Sequence, residues 1–351
     1  MFDPLMIYGA TGYTGRLIAA EAKALGLRPV LGGRNESKLA ALARQLGLTY
    51  RVAPLADTAR LDKALHGIRV VLHAAGPFSE TAQPMVAACL RNGAHYLDIT
   101  GEVLVIEALA RCDAEARRRR IMIMPGVGFD VVPSDCLAAY VAARLPAAER
   151  LVLGLRGLQF VTRASTKTLV EHAAIGVNTR RDGVITPMVP GALQRSFDYG
   201  EGARLSFAVS WGDVASAYYT TGIPNIEVYF ASTPSLQAML MATRYLGRIL
   251  GSAPWQAWFK AQADLLPEGP SAAERAGAQI VIVAEAADAN GRRASARLVT
   301  PEAYACTGVM GAAIARRALN GDLEVGFQTP GRVYGPDFVL SFSGVRREDL
   351  D

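Results

Sequence analysis

LMIYGATGYTGR, residues 5–16, is the stretch whose reading decides the fold. Leu5 to Tyr8 form an apolar run that reads as a buried strand. Gly9-Ala10-Thr11-Gly12-Tyr13-Thr14-Gly15 then reads as a glycine-rich loop that opens a helix. In that setting Gly9 permits a tight turn out of the strand, Gly12 lets the backbone approach a pyrophosphate, and Gly15 allows close packing of the helix. The free N–H groups of a helix start attract phosphate, and Thr11, Thr14 and Arg16 add hydroxyl donors and a charge. A glycine pattern alone is a weak signal, but a strand before it and a helix after it supply the context that a dinucleotide site requires.

Working outward, short β-type runs alternate with helical stretches from residue 5 to about 126. The runs are LMIYG, PVLGG, YRVAPL, VVLHAAG, HYLDIT and IMIMPG. Helices between successive strands mean βαβ units and a parallel sheet, and nearly continuous apolar strands mean helices on both faces. The expectation is a six-stranded, doubly wound Rossmann domain over residues 1–132. After Pro133 the pattern changes to longer strands near 150–160, 203–210, 225–232, 278–287 and 293–300, with helices near 165–178, 235–250 and 254–264. The last two strands flank Asn290-Gly291, a strong hairpin signal. Residues 133–301 therefore read as an α+β second domain with a mostly antiparallel sheet, serving substrate binding and dimerisation. A helix over 302–320 is expected to return to the first domain, which residues 302–351 would complete.

The second strand ends in Gly33-Arg34-Asn35, with Lys38 behind, where an NAD-preferring site would place a carboxylate on the ribose. A guanidinium there can take a 2′-phosphate bidentately, so the cofactor read from the sequence is NADP(H). Asp57, after the third strand, either accepts from the adenine or caps the next helix. Ala75, Gly76 and Pro77 end the fourth strand with small residues against which the nicotinamide ribose can lie. His73 before them is a core histidine or a catalytic one. Two further strand ends, Tyr96-Leu97-Asp98 and the segment at Asp130, supply Tyr96, Asp98 and Asp130 as candidate groups for proton transfer beside a hydride site. Asp98, Thr100 and Asp130 also precede plausible helix starts, so capping is the competing role. Glu171 and His172, with Lys167 one turn earlier, read either as reaching a cleft or as an ion-paired surface.

Composition narrows the classes. The chain has 351 residues, 51% of them hydrophobic, with a net charge of +5. Its basic residues are dispersed, and the one dense run, Arg117 to Arg120, closes a predicted helix where cations suit the dipole. A nucleic-acid partner is not expected. Cys89, Cys112, Cys136 and Cys306 lie apart with no metal-binding spacing, so reduced thiols and no metal site are expected. The N-terminus has no secretory pattern and Leu236–Leu250 is too short and too charged to span a bilayer. A cytoplasmic protein is expected, with Leu236–Leu250 left either to lie on a membrane or to form a dimer contact.

Taken together, GATGYTGR, GGRN, HAAGPF, YLDITGE and PGVGFDVVPSD resemble the saccharopine dehydrogenase-like oxidoreductases, and particularly the branch with the trans-acting enoyl reductases of actinobacterial lipid synthesis. TRASTKTLVEHAAIGVNTRRDGVI and SWGDVASAYYTTGIPNIEVY extend the resemblance into the second domain. Where that branch reads Ser-Arg-Gly-Thr, this chain has Arg163-Ala164-Ser165-Thr166. The resemblance implies a Rossmann domain, NADP(H) and a homodimer. It implies hydride transfer to or from a C=C or C=N bond of a small-molecule or carrier-bound acyl substrate. A saccharopine-type amino acid dehydrogenase and a non-catalytic NADP-binding redox sensor are the alternatives, because a fold alone does not choose among them.

Overall fold

The computed structural model describes residues 4–159, 162, 163, 166, 176–263 and 265–350. It divides into two compact units, Met1–Val132 with Tyr304–Val333, and Pro133–Ala303 with Tyr334–Asp351.

The first unit is built on β1 (Leu5–Tyr8), β2 (Val30–Gly33), β3 (Thr49–Val52), β4 (Val70–His73), β5 (His95–Asp98) and β6 (Met122–Met124). All pair in parallel, in the order β6-β5-β4-β1-β2-β3. Every residue of β1, β2 and β4 is buried, as the apolar runs require when helices cover both faces. The chain order reverses between β1 and β4, and their carboxyl ends flank the crevice at which doubly wound sheets bind ligands. The helix Ala303–Leu319 presents Cys306, Met310, Gly311, Ile314 and Ala318 as a buried, small-residue face. At Gly311 the Leu72 and Ile18 side chains come within 3.5 and 3.8 Å of where a β-carbon would stand.

One strand of this unit was not legible in the sequence. Gly326–Phe327 (β15) pairs in parallel with β6, so the sheet has seven described strands rather than six. Two residues are too few to show a period. Phe327 is seated by its N–H donating to Asp113 at 2.8 Å.

The second unit carries β7 (Ala148–Arg156), β8 (Val177–Arg181), β9 (Val184–Met188), β10 (Gln194–Asp198), β11 (Ala203–Ala208), β12 (Asn225–Ala231), β13 (Gln279–Asp288), β14 (Arg293–Pro301) and β16 (Arg346–Asp349). Their main path runs β10-β11-β12-β7-β13-β14-β16, and only the β12–β7 pair is parallel. At the β13–β14 hairpin Asp288 accepts from the N–H groups of Asn290 and Arg292 at 3.0 and 2.9 Å, which fixes the Asn-Gly turn. The pairing of β16 with β14 corrects one expectation. Residues 334–351 belong to the second unit, so the segment that completes the first ends at Val333. The helix expected over 165–178 falls mainly outside the described residues, as do Lys167, Glu171 and His172, and Val177 and Asn178 begin β8.

A buried ionic cluster holds three of these strands. Glu227 on β12 is 1% exposed and accepts from Arg150 of β7 at 3.0 Å, from Arg181 of β8, and from Tyr229. Burial pushes the Glu227 carboxyl up, but the hydrogen bonds from Tyr229, Arg181 and Arg150 outweigh it and hold the group below its ordinary value. Removing Glu227 leaves the part-exposed Arg150 and Arg181 without their carboxylate and the buried Tyr229 hydroxyl without its acceptor. Glu227→Ala is expected to destabilise the protein by about 1–3 kcal/mol at pH 7 in urea unfolding. Because the folded-state value is depressed, that deficit is expected to shrink as pH falls through the carboxylate range.

Candidate functional site

The site begins with a backbone that tolerates no side chain. Gly9 has φ +82°, and a β-carbon on it would stand 2.7 Å from the Ala75 nitrogen and 2.8 Å from the Ala74 carbonyl carbon. The loop after β1 and the end of β4 therefore meet main chain to main chain. The Gly9 and Ala10 N–H groups both donate to the Gly32 carbonyl, at 2.9 and 3.3 Å, which ties the loop to β2. Gly15 is equally constrained, since its β-carbon would lie 2.2 Å from the Gly9 oxygen. At Gly12 a β-carbon would meet only the Gly9 oxygen, at 3.3 Å. Apart from that one tight backbone contact the face of Gly12 is clear, and it caps the helix Tyr13–Ala24 with no side chain on the helix start. Open space over a glycine and an uncapped helix N-terminus together fit a pyrophosphate. Arg16 turns back onto the loop, its Nη1 donating to the Thr11 carbonyl at 2.8 Å. Thr14 lies in the first turn of the helix, and the Tyr13 ring meets Tyr304 edge-on at 5.4 Å.

Arg34 leaves β2 exposed to solvent. Asn35 is a helix cap: its Oδ1 accepts from the Lys38 N–H at 3.0 Å and from the Ser37 hydroxyl at 2.8 Å. Asn35 and Lys38 are thereby fixed beside Arg34 through the helix start. Asp57 takes the capping role, accepting from the Arg60 N–H at 3.0 Å and pairing with the Arg60 guanidinium at 3.2 Å.

The carboxyl edge of the sheet holds three acids in three states. Asp98 is fully buried. Its Oδ1 accepts from the Thr100 and Gly126 N–H groups at 2.9 and 3.0 Å, and its Oδ2 from the Tyr96 hydroxyl at 2.7 Å. Burial pushes its pKa up to about 6 against the pull of those bonds, and burial together with the Asp98 charge pushes the Tyr96 phenol well up. The pair locks the ends of β5 and β6 together. Glu102 is the group that sequence reasoning missed. Pro77 gives the helix Phe78–Asn92 no side-chain cap, and Glu102 supplies one, its Oε1 and Oε2 accepting from the Phe78 and Ser79 N–H groups at 2.9 and 3.1 Å. The signal was a helix start that lacked its own acceptor. Ala75, Gly76 and Pro77 are held just before that helix, with Gly76 exposed. Asp130 differs from both. It lies against Gly101, makes no hydrogen bond or ion pair among the described residues, and burial pushes its carboxyl up to about 7.

His73 is buried with neither ring nitrogen bonded among the described residues, packed near Tyr8, Phe78 and Tyr96 at 5.4–6.2 Å between ring centroids. Burial drives its pKa down to about 3, so the ring is neutral and belongs to the core. No cluster of His, Cys, Asp and Glu among the described residues could hold a metal ion, and no described helix is long and apolar enough to cross a membrane.

Loop, reversal point and strand order define a Rossmann-type, dinucleotide-binding unit. Residues 9–148 match the NAD(P)H-binding family model. A trans-acting enoyl reductase of Mycobacterium leprae (strain TN) is 37% identical over 145 residues, which cover 38% of this chain and 34% of that protein. One from Mycobacterium tuberculosis (strain ATCC 25618 / H37Rv) is 33% identical over 142 residues, with 38% and 34% covered. The chain thus spans about a third of the length of the curated relatives it matches. The apo saccharopine dehydrogenase (L-Glu forming) of Saccharomyces cerevisiae superposes over 99% of both chains with a TM-score of 0.68 at 13% identity. The chain has the fold of that saccharopine dehydrogenase and, over part of its length, is similar in sequence to the trans-acting enoyl reductases.

The glycine geometry separates two effects. Gly12→Ala is expected to leave the melting temperature nearly unchanged while weakening dinucleotide binding by about tenfold or more, because the added methyl enters the phosphate face. Gly15→Ala is expected to lower stability itself, by about 1–3 kcal/mol, because a methyl there overlaps the Gly9 carbonyl. Thermal unfolding and cofactor titration of the two variants, side by side, check both statements.

Proposed function

We propose that the protein is an NADP(H)-dependent oxidoreductase that transfers hydride to a C=C or C=N bond in the manner of an enoyl reductase. The observation that carries the reading is the open glycine cradle at the helix start, with Arg34 exposed at the end of the neighbouring strand. Gly12 and the uncapped helix N-terminus would hold the pyrophosphate, and Arg34, backed by Lys38 on the capped helix, would hold a 2′-phosphate. The nicotinamide, when bound, supplies the hydride. Ala75, Gly76 and Pro77 follow the strand on the far side of the reversal point and would bound the ribose next to it.

Reduction of a double bond also needs a proton, and the three acids divide that work. Asp98 is saturated by three donors and positions the strand ends. Glu102 is committed to a helix start. Asp130 keeps an unbonded carboxyl that is still protonated near neutral pH, which suits a proton donor. The sequence similarity to trans-acting enoyl reductases supports an acyl-type substrate over one bearing several carboxylates.

Arg34→Ala is expected to weaken NADPH binding by about tenfold or more, the worth of a lost charge-assisted hydrogen bond, while leaving NADH binding within about twofold. Equal losses for the two cofactors in a fluorescence titration would count against the NADP assignment. For Asp130 the sign follows from its raised value: the donor form is present below pH 7 and lost above it. Turnover of an enoyl substrate with NADPH is expected to decline above about pH 7, and Asp130→Asn to be slower by about a hundredfold or more and to lack that limb. An unaltered pH profile in Asp130→Asn would assign the proton to another group.

A further inference from the structure

The second unit carries an apolar surface that the dinucleotide site does not explain. Nine of the eighteen exposed large hydrophobic residues among the described ones fall between 239 and 266. They lie on two consecutive helices, Pro234–Leu250 and Ala253–Ala263, and on the segment directly after them. The first helix already has a core face, where Leu240 is 5% exposed and Leu236 packs against the same buried cluster. A second apolar row stands away from it: Met241, Tyr245 and Ile249 recur at four-residue spacing and are 56%, 68% and 49% exposed. A helix that is apolar on its core side and again on its outer side is not a normal solvent-facing helix.

On the next helix Trp255 and Trp258 are 43% and 52% exposed, and their rings meet edge-on at 5.7 Å. Trp258 also meets Phe259 at 4.9 Å. Tryptophan and tyrosine, with an apolar body and a polar edge, settle at the boundary between headgroups and acyl chains. The charge agrees with that location. The two helices carry Arg244, Arg248 and Lys260 and not one Asp or Glu, and Arg244 is exposed alongside the Tyr245 ring at 5.5 Å. Over residues 234–266 the sequence has these three cations against the single carboxylate Asp264, and exposed aromatic residues with a net positive charge are complementary to a layer of anionic lipid, whose surface potential favours each nearby cation.

We propose that residues 234–266 form a peripheral docking surface for an anionic lipid bilayer, seated in the headgroup boundary and not spanning it. The proposal is independent of the cofactor reading, since it concerns residues of the second unit and needs no turnover.

The test is co-sedimentation of the full chain with sucrose-loaded vesicles of phosphatidylglycerol and phosphatidylcholine, against vesicles of phosphatidylcholine alone. Binding is expected on the anionic vesicles, weaker by roughly tenfold on the neutral ones and reduced but not abolished by added salt. Leu246→Glu and Trp258→Glu replace exposed side chains, so their melting temperatures and NADPH affinity are expected to match the parent, while vesicle binding falls by roughly tenfold for each. A parent protein that stays in the supernatant with both vesicle types overturns the proposal. So does a parent that forms a dimer by light scattering, which the same substitutions dissociate while vesicle binding is unaltered, because the face would then cover a second copy.

Discussion

The molecule depends on a contact in which one residue has no side chain. Gly9 sits at φ +82° against the main chain of Ala74 and Ala75, so the loop leaving the first strand touches the end of the fourth strand directly. The same loop is bonded to Gly32 on the second strand, and the helix that follows packs Gly15 against the Gly9 carbonyl. Strand spacing, helix entry and the open face at Gly12 are therefore one geometric fact. A side chain at Gly9 would part the two central strands at the point where chain order reverses, which is also where a ligand must sit.

Around that point the sheet's carboxyl edge is built from acids, Asp98 and Glu102 buried and Asp130 partly so, that serve different purposes. Asp98, through one oxygen, and Glu102, through both, accept from backbone N–H groups, which stabilises loops that would otherwise bury unsatisfied donors. Asp130 has no such engagement among the described residues, and the cost of burying its charge appears as a raised pKa. Three chemically similar groups within 33 residues of chain thus become a lock, a cap and an acid by environment alone.

The second unit relies on paired charge to align strands distant in sequence. Glu227 collects Arg150 and Arg181, while Arg180, 2% exposed, donates to the Val214 carbonyl at 2.9 Å and lies over the Tyr218 ring at 4.2 Å. Neighbouring arginines on β8 alternate in direction, as residues on a strand must, so one joins the ionic cluster and the other the buried aromatic contact. Buried guanidinium groups of this kind are satisfied by carbonyls and rings, and they specify which strand lies beside which.

By itself the sequence determined the Rossmann unit, because its signals are local: an apolar strand, glycines at fixed offsets, a helix start and an arginine at the next strand's end all lie within 34 residues. The parallel sheet, the antiparallel second sheet and the β13–β14 hairpin follow from periodicity and turn chemistry for the same reason. The two-residue β15 and the pairing of β16 with β14 were settled only in three dimensions, since these strands pair with partners distant in sequence; β8 to β10 pair mainly with their sequence neighbours but are short and mixed in polarity, so their period did not show. Tertiary structure also decided what each polar residue does. Asp57 and Asp98 looked alike as an acid after a strand, yet one meets its own helix and the other meets Gly126, 28 residues on. Hydrogen-bond partners and burial set those roles, and neither is written in the spacing of residues along the chain.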